Sequence, residues 1–224
     1  METLQKIWKQ FGPQLDPEKA KAVEKVAVFG FADAEPCSKL YMDAFNVAKA
    51  LAKAGYVVVD GGGPGVMEAA TRGAKSAGGK VIGVTLYPKD APNFEGRDPG
   101  NELDEEIKTE TYVERTLTLM KEGQVYIVFN GASGTMSEFA MAWGLARIYF
   151  GHHKPIILYG GFWHKIMKAL RNNLMVRPEE AQVYKIVTSP KDVLKAIKEF
   201  EREIEAGWHK DLKVSDEDGY CIAK

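Results

Sequence analysis

Apolar residues in this chain recur with two different periods. Short, continuous runs of branched or aromatic residues stand at 26–29, 56–59, 81–84, 125–129 and 155–158. None alternates with polar residues, the pattern expected of strands buried on both faces. Between them the spacing is helical. Tyr41, Ala44, Phe45, Ala48 and Leu51 share one stripe, and Gly55 stands where a helix would stop. Further helices are predicted from the first glycine turn to about residue 77, over 105–122, from the second glycine turn to about 149, and over 162–172. A short strand at 184–187 and a helix over 190–205 follow. Ahead of the first strand, Leu4, Ile7, Trp8 and Phe11 predict an amphipathic helix, and Asp16-Pro17-Glu18 reads as the start of another. Residues 1 to about 24 are thus expected to form a helical extension. Residues 88–106, rich in Pro, Gly, Asn, Asp and Glu, predict a long loop of the kind that often serves as a lid. The tail, about 213–224, is acidic and weakly patterned, and is expected to be loosely held.

Strand–helix alternation of this kind gives an α/β fold, a three-layer, Rossmann-like, doubly wound and mostly parallel sheet with helices on both faces. One domain spanning 1–224 is expected. In the common order 3-2-1-4-5, winding reverses beside strand one. Ligands bind beyond the strand ends at that point. The turns beginning at Gly30, Gly61 and Gly131 converge there.

Two of these turns carry the candidate chemistry. The first reads Asp60-Gly61-Gly62-Gly63-Pro64-Gly65-Val66-Met67-Glu68, the second Asn130-Gly131-Ala132-Ser133-Gly134-Thr135-Met136-Ser137-Glu138. Glycines let backbone approach a ligand, and a helix that starts directly afterwards presents free N–H groups to an anion. Phosphate is the natural guest. The first turn has neither the G-x-G-x-x-G spacing nor the Lys-Ser/Thr of a P-loop, which argues against triphosphate hydrolysis. It also reads, more plainly, as a tight strand-to-helix connection. Asp60 is placed to bond a ribose or to serve as a turn acid. Glu138 has two readings as well: Thr135-Met136-Ser137-Glu138 is a capping-box pattern, yet the same helix turn faces the crevice. On the preceding helix, Val113, Leu117 and Met120 form the expected core stripe, with Arg115 pointing elsewhere; taken alone, Arg115 reads as a surface arginine.

Composition narrows the field. A net charge of −1 in 224 residues provides no global field for nucleic acid or an anionic membrane. No apolar run approaches the roughly 18 residues of a membrane span, and the start of the chain lacks a signal-peptide core. Two cysteines, Cys37 and Cys221, have no metal-ligand partner at short spacing. A cytoplasmic setting is expected. His152-His153 read as exposed loop residues, not a metal site, and Trp143 and Trp163 as core or interface residues.

The two glycine motifs, Gly61-Gly62-Gly63-Pro64-Gly65-Val66-Met67-Glu68-Ala69-Ala70 and Gly131-x-x-Gly134-Thr135-x-x-Glu138, resemble the signature motifs of the LOG family, long labelled lysine decarboxylase-like. The resemblance runs from about residue 26 to 197 and includes Gly161-Phe162-Trp163. It implies hydrolysis of the N-glycosidic bond of a nucleoside 5′-monophosphate, of AMP or cytokinin-ribotide type, without a cofactor and in a homodimer. The family's catalytic arginine and glutamate fall on Arg115 and Glu138. Substrate and phosphate binding fall on Gly61, Gly62, Gly63, Gly65, Val66 and Met67, and on Gly131, Ser133, Gly134 and Thr135. The family's Pro-Gly-Gly at the second motif is here Asn130-Gly131-Ala132, and its Arg-Lys pair is Arg115-Thr116. These departures suit an alternative, a non-catalytic nucleotide or molybdenum-cofactor carrier, which resembles the family in fold and glycine motifs. Lysine decarboxylation fits poorly, because neither glycine motif carries a Schiff-base lysine.

Overall fold

The computed structural model describes residues 23–88, 94, 96–148 and 154–206. The expected N-terminal helices, the acidic tail and His152-His153 lie outside them. Seven strands, β1 (Lys25–Phe29), β2 (Val57–Asp60), β3 (Val81–Leu86), β4 (Glu105–Thr109), β5 (Val125–Val128), β6 (Ile156–Tyr159) and β7 (Tyr184–Val187), form one sheet in the order β4-β3-β2-β1-β5-β6-β7. Every pairing is parallel. Among the described residues six α-helices cover it: α1 (Lys39–Lys53), α2 (Val66–Lys75), α3 (Tyr112–Glu122), α4 (Ser133–Ile148), α5 (Trp163–Asn173) and α6 (Pro190–Glu205).

The period-two geometry of a strand divides each strand between two cores. Val26, Val28 and Val58 pack with α1, α2 and α6, through residues such as Leu51, Ala70 and Phe200. Ala27, Phe29 and Val59 pack with α3, α4 and α5, through Leu119, Phe139 and Trp163. The sheet is therefore the middle of three layers, and its inner strands are largely apolar on both faces, as the unbroken runs indicated. Trp163 is buried in the second core, and Trp143 donates its indole N–H to the Glu180 carbonyl at 2.8 Å.

Two expectations need correcting. The segment from residue 105 is not the start of a helix: Glu105–Thr109 is β4, hydrogen-bonded in parallel to β3. Its charged and half-exposed residues give no apolar run because it is an edge strand. On α3 the buried face comprises Arg115, Thr116, Leu119 and Met120, whereas Val113, placed in the core stripe by its spacing, is 61% exposed.

Winding reverses at β1, which lies between β2 and β5. The turns after these three strands meet beyond their C-terminal ends, where an open parallel sheet leaves a crevice.

Candidate functional site

A cleft of ≈ 270 Å³ occupies that crevice. The turn after β1, residues 30–33, forms one side. Residues 132–135 and Glu138 of the second glycine turn and α4 form another. Tyr112 and Arg115 of α3, Phe94, and Gly61 and Met67 complete it.

The second turn opens towards this cleft. Met136 N–H donates to the Ala132 carbonyl at 3.0 Å, so Ala132 caps α4 and Ser133, Gly134 and Thr135 supply its first turn. Helix geometry leaves the N–H groups of such a turn without a carbonyl one turn back, and the dipole adds positive potential there. Thr135 is consequently inside the helix and not its cap, and the capping-box reading of Glu138 falls away. Gly131 stands behind the cleft wall: a Cβ on it would come within 2.1 Å of the Thr135 hydroxyl oxygen, so its hydrogen lets the chain turn tightly.

Glu138 is 7% exposed and Arg115 5%. Their closest charged atoms, Arg115 Nη1 and Glu138 Oε1, are 3.7 Å apart. The surface-arginine reading is thereby overturned. A guanidinium is tolerated at such burial only when its donors are met. Arg115 Nε donates to the Val84 carbonyl at 3.0 Å, and Nη2 to the Gly61 carbonyl at 3.3 Å. Nη2 also lies 3.4 Å from Met67 Sδ, and the Phe94 ring centroid is 5.8 Å from the guanidinium carbon. Arg115 thus ties β3, the first glycine turn and α2 to α4, and presents one edge to the cleft.

The first turn is largely engaged elsewhere. Gly62 N–H donates to Asp60 Oδ1 at 2.7 Å, and Val66 N–H to the Phe31 carbonyl at 3.0 Å. The Gly62 carbonyl accepts from Asp98 N–H at 2.9 Å, and the Gly63 carbonyl from Asn101 Nδ2 at 2.8 Å. Residues 96–103 therefore sit over this turn. Gly65, at φ 65°, brings Val66 against the β1 turn. Of the residues expected to cradle phosphate here, Gly61 and Met67 line the cleft, while Gly62, Gly63, Gly65 and Val66 do not. Asp60 is the turn acid of its two readings. It is fully buried, and its other oxygen accepts from the Thr71 hydroxyl at 2.9 Å. Burial pushes its carboxyl up to about 6; the Gly62 and Thr71 hydrogen bonds and the charges of Arg115 and Arg97 offset part of that effect.

The turn after β1 lines the cleft as expected, whereas two contributors escaped the sequence reading, Phe94 and Tyr112. The latter is the first residue of α3, behind the Thr111 N-cap. Its hydroxyl pairs with that of Ser137 and lies 3.4 Å from the Gly134 carbonyl, so the ring is pinned to the first turn of α4. The helical start Thr111-x-x-Glu114 was the available signal. Among the described residues no group of three or more His, Cys, Asp or Glu is placed to hold a metal ion. No described helix is long and apolar enough to cross a membrane.

A doubly wound parallel sheet with its cleft at the switch point, faced by a helix N-terminus and a buried Arg–Glu pair, defines a Rossmann-like fold with a candidate ligand site. Within that class the chain belongs to the SLOG cluster4 family, which it matches over residues 23–191. A protein of Archaeoglobus fulgidus is 30% identical over 168 residues, 75% of this chain and 99% of the relative. The solved structure of TM1055 is 28% identical, covering 79% of this chain and 99% of that one, with a TM-score of 0.59. The molybdenum cofactor binding protein of Rippkaea orientalis is 25% identical, covering 80% and 98%, with a TM-score of 0.57.

Proposed function

We propose that this protein hydrolyses the N-glycosidic bond of a nucleoside 5′-monophosphate. The observation that carries this reading is the buried Arg115–Glu138 pair on the wall of a cleft that also receives the first turn of α4. The 5′-phosphate sits on the N–H groups of Ser133, Gly134 and Thr135, where the helix dipole favours an anion. Glu138 then faces the sugar. As the bond between the anomeric carbon and the base nitrogen breaks, positive charge develops on the ribose, and a carboxylate stabilises it. Water adds its oxygen to the anomeric carbon and yields a proton to Glu138, which returns one to the departing base. The products are ribose 5-phosphate and free base, and no cofactor is consumed. Arg115, held by carbonyls on two sides, fixes the direction of the carboxylate and offers its remaining edge to ribose or phosphate oxygens. Gly61 and Met67 supply the opposing wall. In keeping with its resemblance, the protein works as a homodimer in the cytoplasm.

The test is release of base from AMP, GMP, CMP, UMP and IMP. Glu138→Gln is expected to lower turnover by at least about a hundredfold while nucleotide binding persists. Unchanged turnover in that variant would sink the reading.

A second reading, a carrier of a nucleotide or of molybdenum cofactor, is favoured by Ala132. This residue lines the cleft where the LOG pattern has a glycine, and its Cβ narrows the approach to the α4 N–H groups. The resemblance to a molybdenum cofactor binding protein points the same way. Tight binding of nucleotide or pterin cofactor with no base released at high protein concentration would favour the carrier.

A further inference from the structure

The cleft, at ≈ 270 Å³, falls just under the roughly 300 Å³ at which small-molecule sites begin. A phosphorylated ribose is accommodated more readily than a whole nucleotide. A second, more open hollow of ≈ 720 Å³ adjoins it at the C-terminal end of β3, lined by Leu86, Tyr87, Pro88, Arg97 and Pro99. Phe94 belongs to both walls. Its ring stands over the Arg115 guanidinium, next to the carboxylate assigned to the anomeric carbon. With the sugar against that carboxylate, the wall shared by the two hollows is the one a base attached to the anomeric carbon would reach.

Among the described residues, the polar side chains lining the hollow are already engaged. The Tyr87 hydroxyl donates to Glu106 at 2.8 Å. Arg97 donates through Nη2 to the Asn101 carbonyl at 2.9 Å and through Nη1 to the Asp98 carbonyl, and its Nε lies 3.6 Å from Glu106. From the described residues a ligand there meets mainly ring faces and aliphatic surface, with few free side-chain donors or acceptors to read a base edge.

We infer that Phe94 is the specificity-determining residue, with the base stacked on its ring and extending into the hollow beyond, selected by the area of its face and not by its hydrogen-bonding edge. This inference rests on reading the cleft as a nucleoside-monophosphate site. Stacking grows with ring area and tolerates any edge pattern, because every base has a π-face. The site therefore prefers bicyclic purines to monocyclic pyrimidines, and treats AMP, GMP and IMP alike.

Calorimetric titration of the Glu138→Gln protein, expected to hold ligand while turning it over slowly, with AMP, GMP, IMP, CMP, UMP and ribose 5-phosphate separates the possibilities. The three purine nucleotides are expected to bind within a few-fold of one another, and about tenfold more tightly than the pyrimidines or ribose 5-phosphate. Adding Phe94→Ala should remove about a factor of ten from the purine affinities and leave ribose 5-phosphate unchanged; Phe94→Trp should restore it. Equal affinity for AMP and ribose 5-phosphate, or more than tenfold discrimination between AMP and GMP, overturns the inference and leaves the hydrolase reading standing. An equal loss for every ligand in Phe94→Ala does the same. Failure of all six to bind overturns both.

Discussion

Asp60 shows how one side chain sets the conditions under which the first glycine turn holds. It ends β2 with no exposed surface, and it gathers Gly62 N–H and the Thr71 hydroxyl. Burial raises its carboxyl from 3.8 to about 6, and its hydrogen bonds and two nearby arginines offset only part of that effect. Between those pH values the folded protein keeps a proton that the unfolded chain has released. Stability from this group is thus fullest below about pH 4, falls as pH rises towards 6, and is level above; the displacement corresponds to about 3 kcal/mol. Asp60→Asn retains an acceptor for Gly62 and has no charge to desolvate. The stability of the variant relative to wild type should therefore rise between pH 4 and pH 6 and hold constant at higher pH. Urea midpoints of both proteins across pH 4–8 measure this. Parallel curves would show that the Asp60 carboxyl keeps its ordinary titration.

At the scale of elements, the interlocking of turns explains why glycines cluster here. Gly65 has φ 65°, and a Cβ on it would lie 2.2 Å from the Ala32 carbonyl oxygen, which is backbone and cannot swing aside. Gly78, after α2, has φ 73° but nothing within 4 Å of such a Cβ. Both changes to alanine carry the strain of positive φ, about 1–2 kcal/mol. Only Gly65→Ala must also part the β1 turn from α2, breaking the Val66–Phe31 hydrogen bond. Gly78→Ala should lower the melting temperature by a few degrees, and Gly65→Ala by considerably more or prevent folding; similar shifts in a thermal melt would refute this division. The glycine clusters were legible in sequence, but their division of labour was not. That the first is covered by residues 96–103 while the second opens on the cleft depends on contacts between segments far apart in the chain. The same holds for β4, whose Glu-Glu-Ile-Lys-Thr composition carries no strand periodicity because edge strands tolerate charge. The burial of Arg115, singled out by resemblance but read on its own as a surface residue, went unseen for a related reason. That burial is supported by Glu138 and by two carbonyls from β3 and the first turn, none of them a neighbour in sequence.

For the molecule as a whole, the order of the inner strands followed from alternation taken with the common doubly wound order, since right-handed crossovers leave few arrangements of five parallel strands. The position of the cleft followed from that order. Charge at this scale carries a further expectation. The chain has 30 basic and 31 acidic residues, and the cleft lining offers one guanidinium against the carboxylates of Asp33 and Glu138. Several cations elsewhere are already paired, among them Lys25 with Glu122, Arg72 with Glu68, and Lys185 with Glu199 and Glu203. Binding a nucleic-acid strand requires a track of cations that neutralises successive phosphates and releases their counterions. A helix N-terminus meets one phosphate group through its N–H donors and needs no such track. The protein should therefore bind mononucleotides while leaving labelled single-stranded oligonucleotide free at about 0.15 M salt, with a Kd no tighter than about 10⁻⁴ M. Fluorescence anisotropy with increasing protein checks this, with AMP as competitor. Micromolar oligonucleotide binding that weakens steeply with salt would mean that the charge on this surface is organised for a strand and not for a single phosphate.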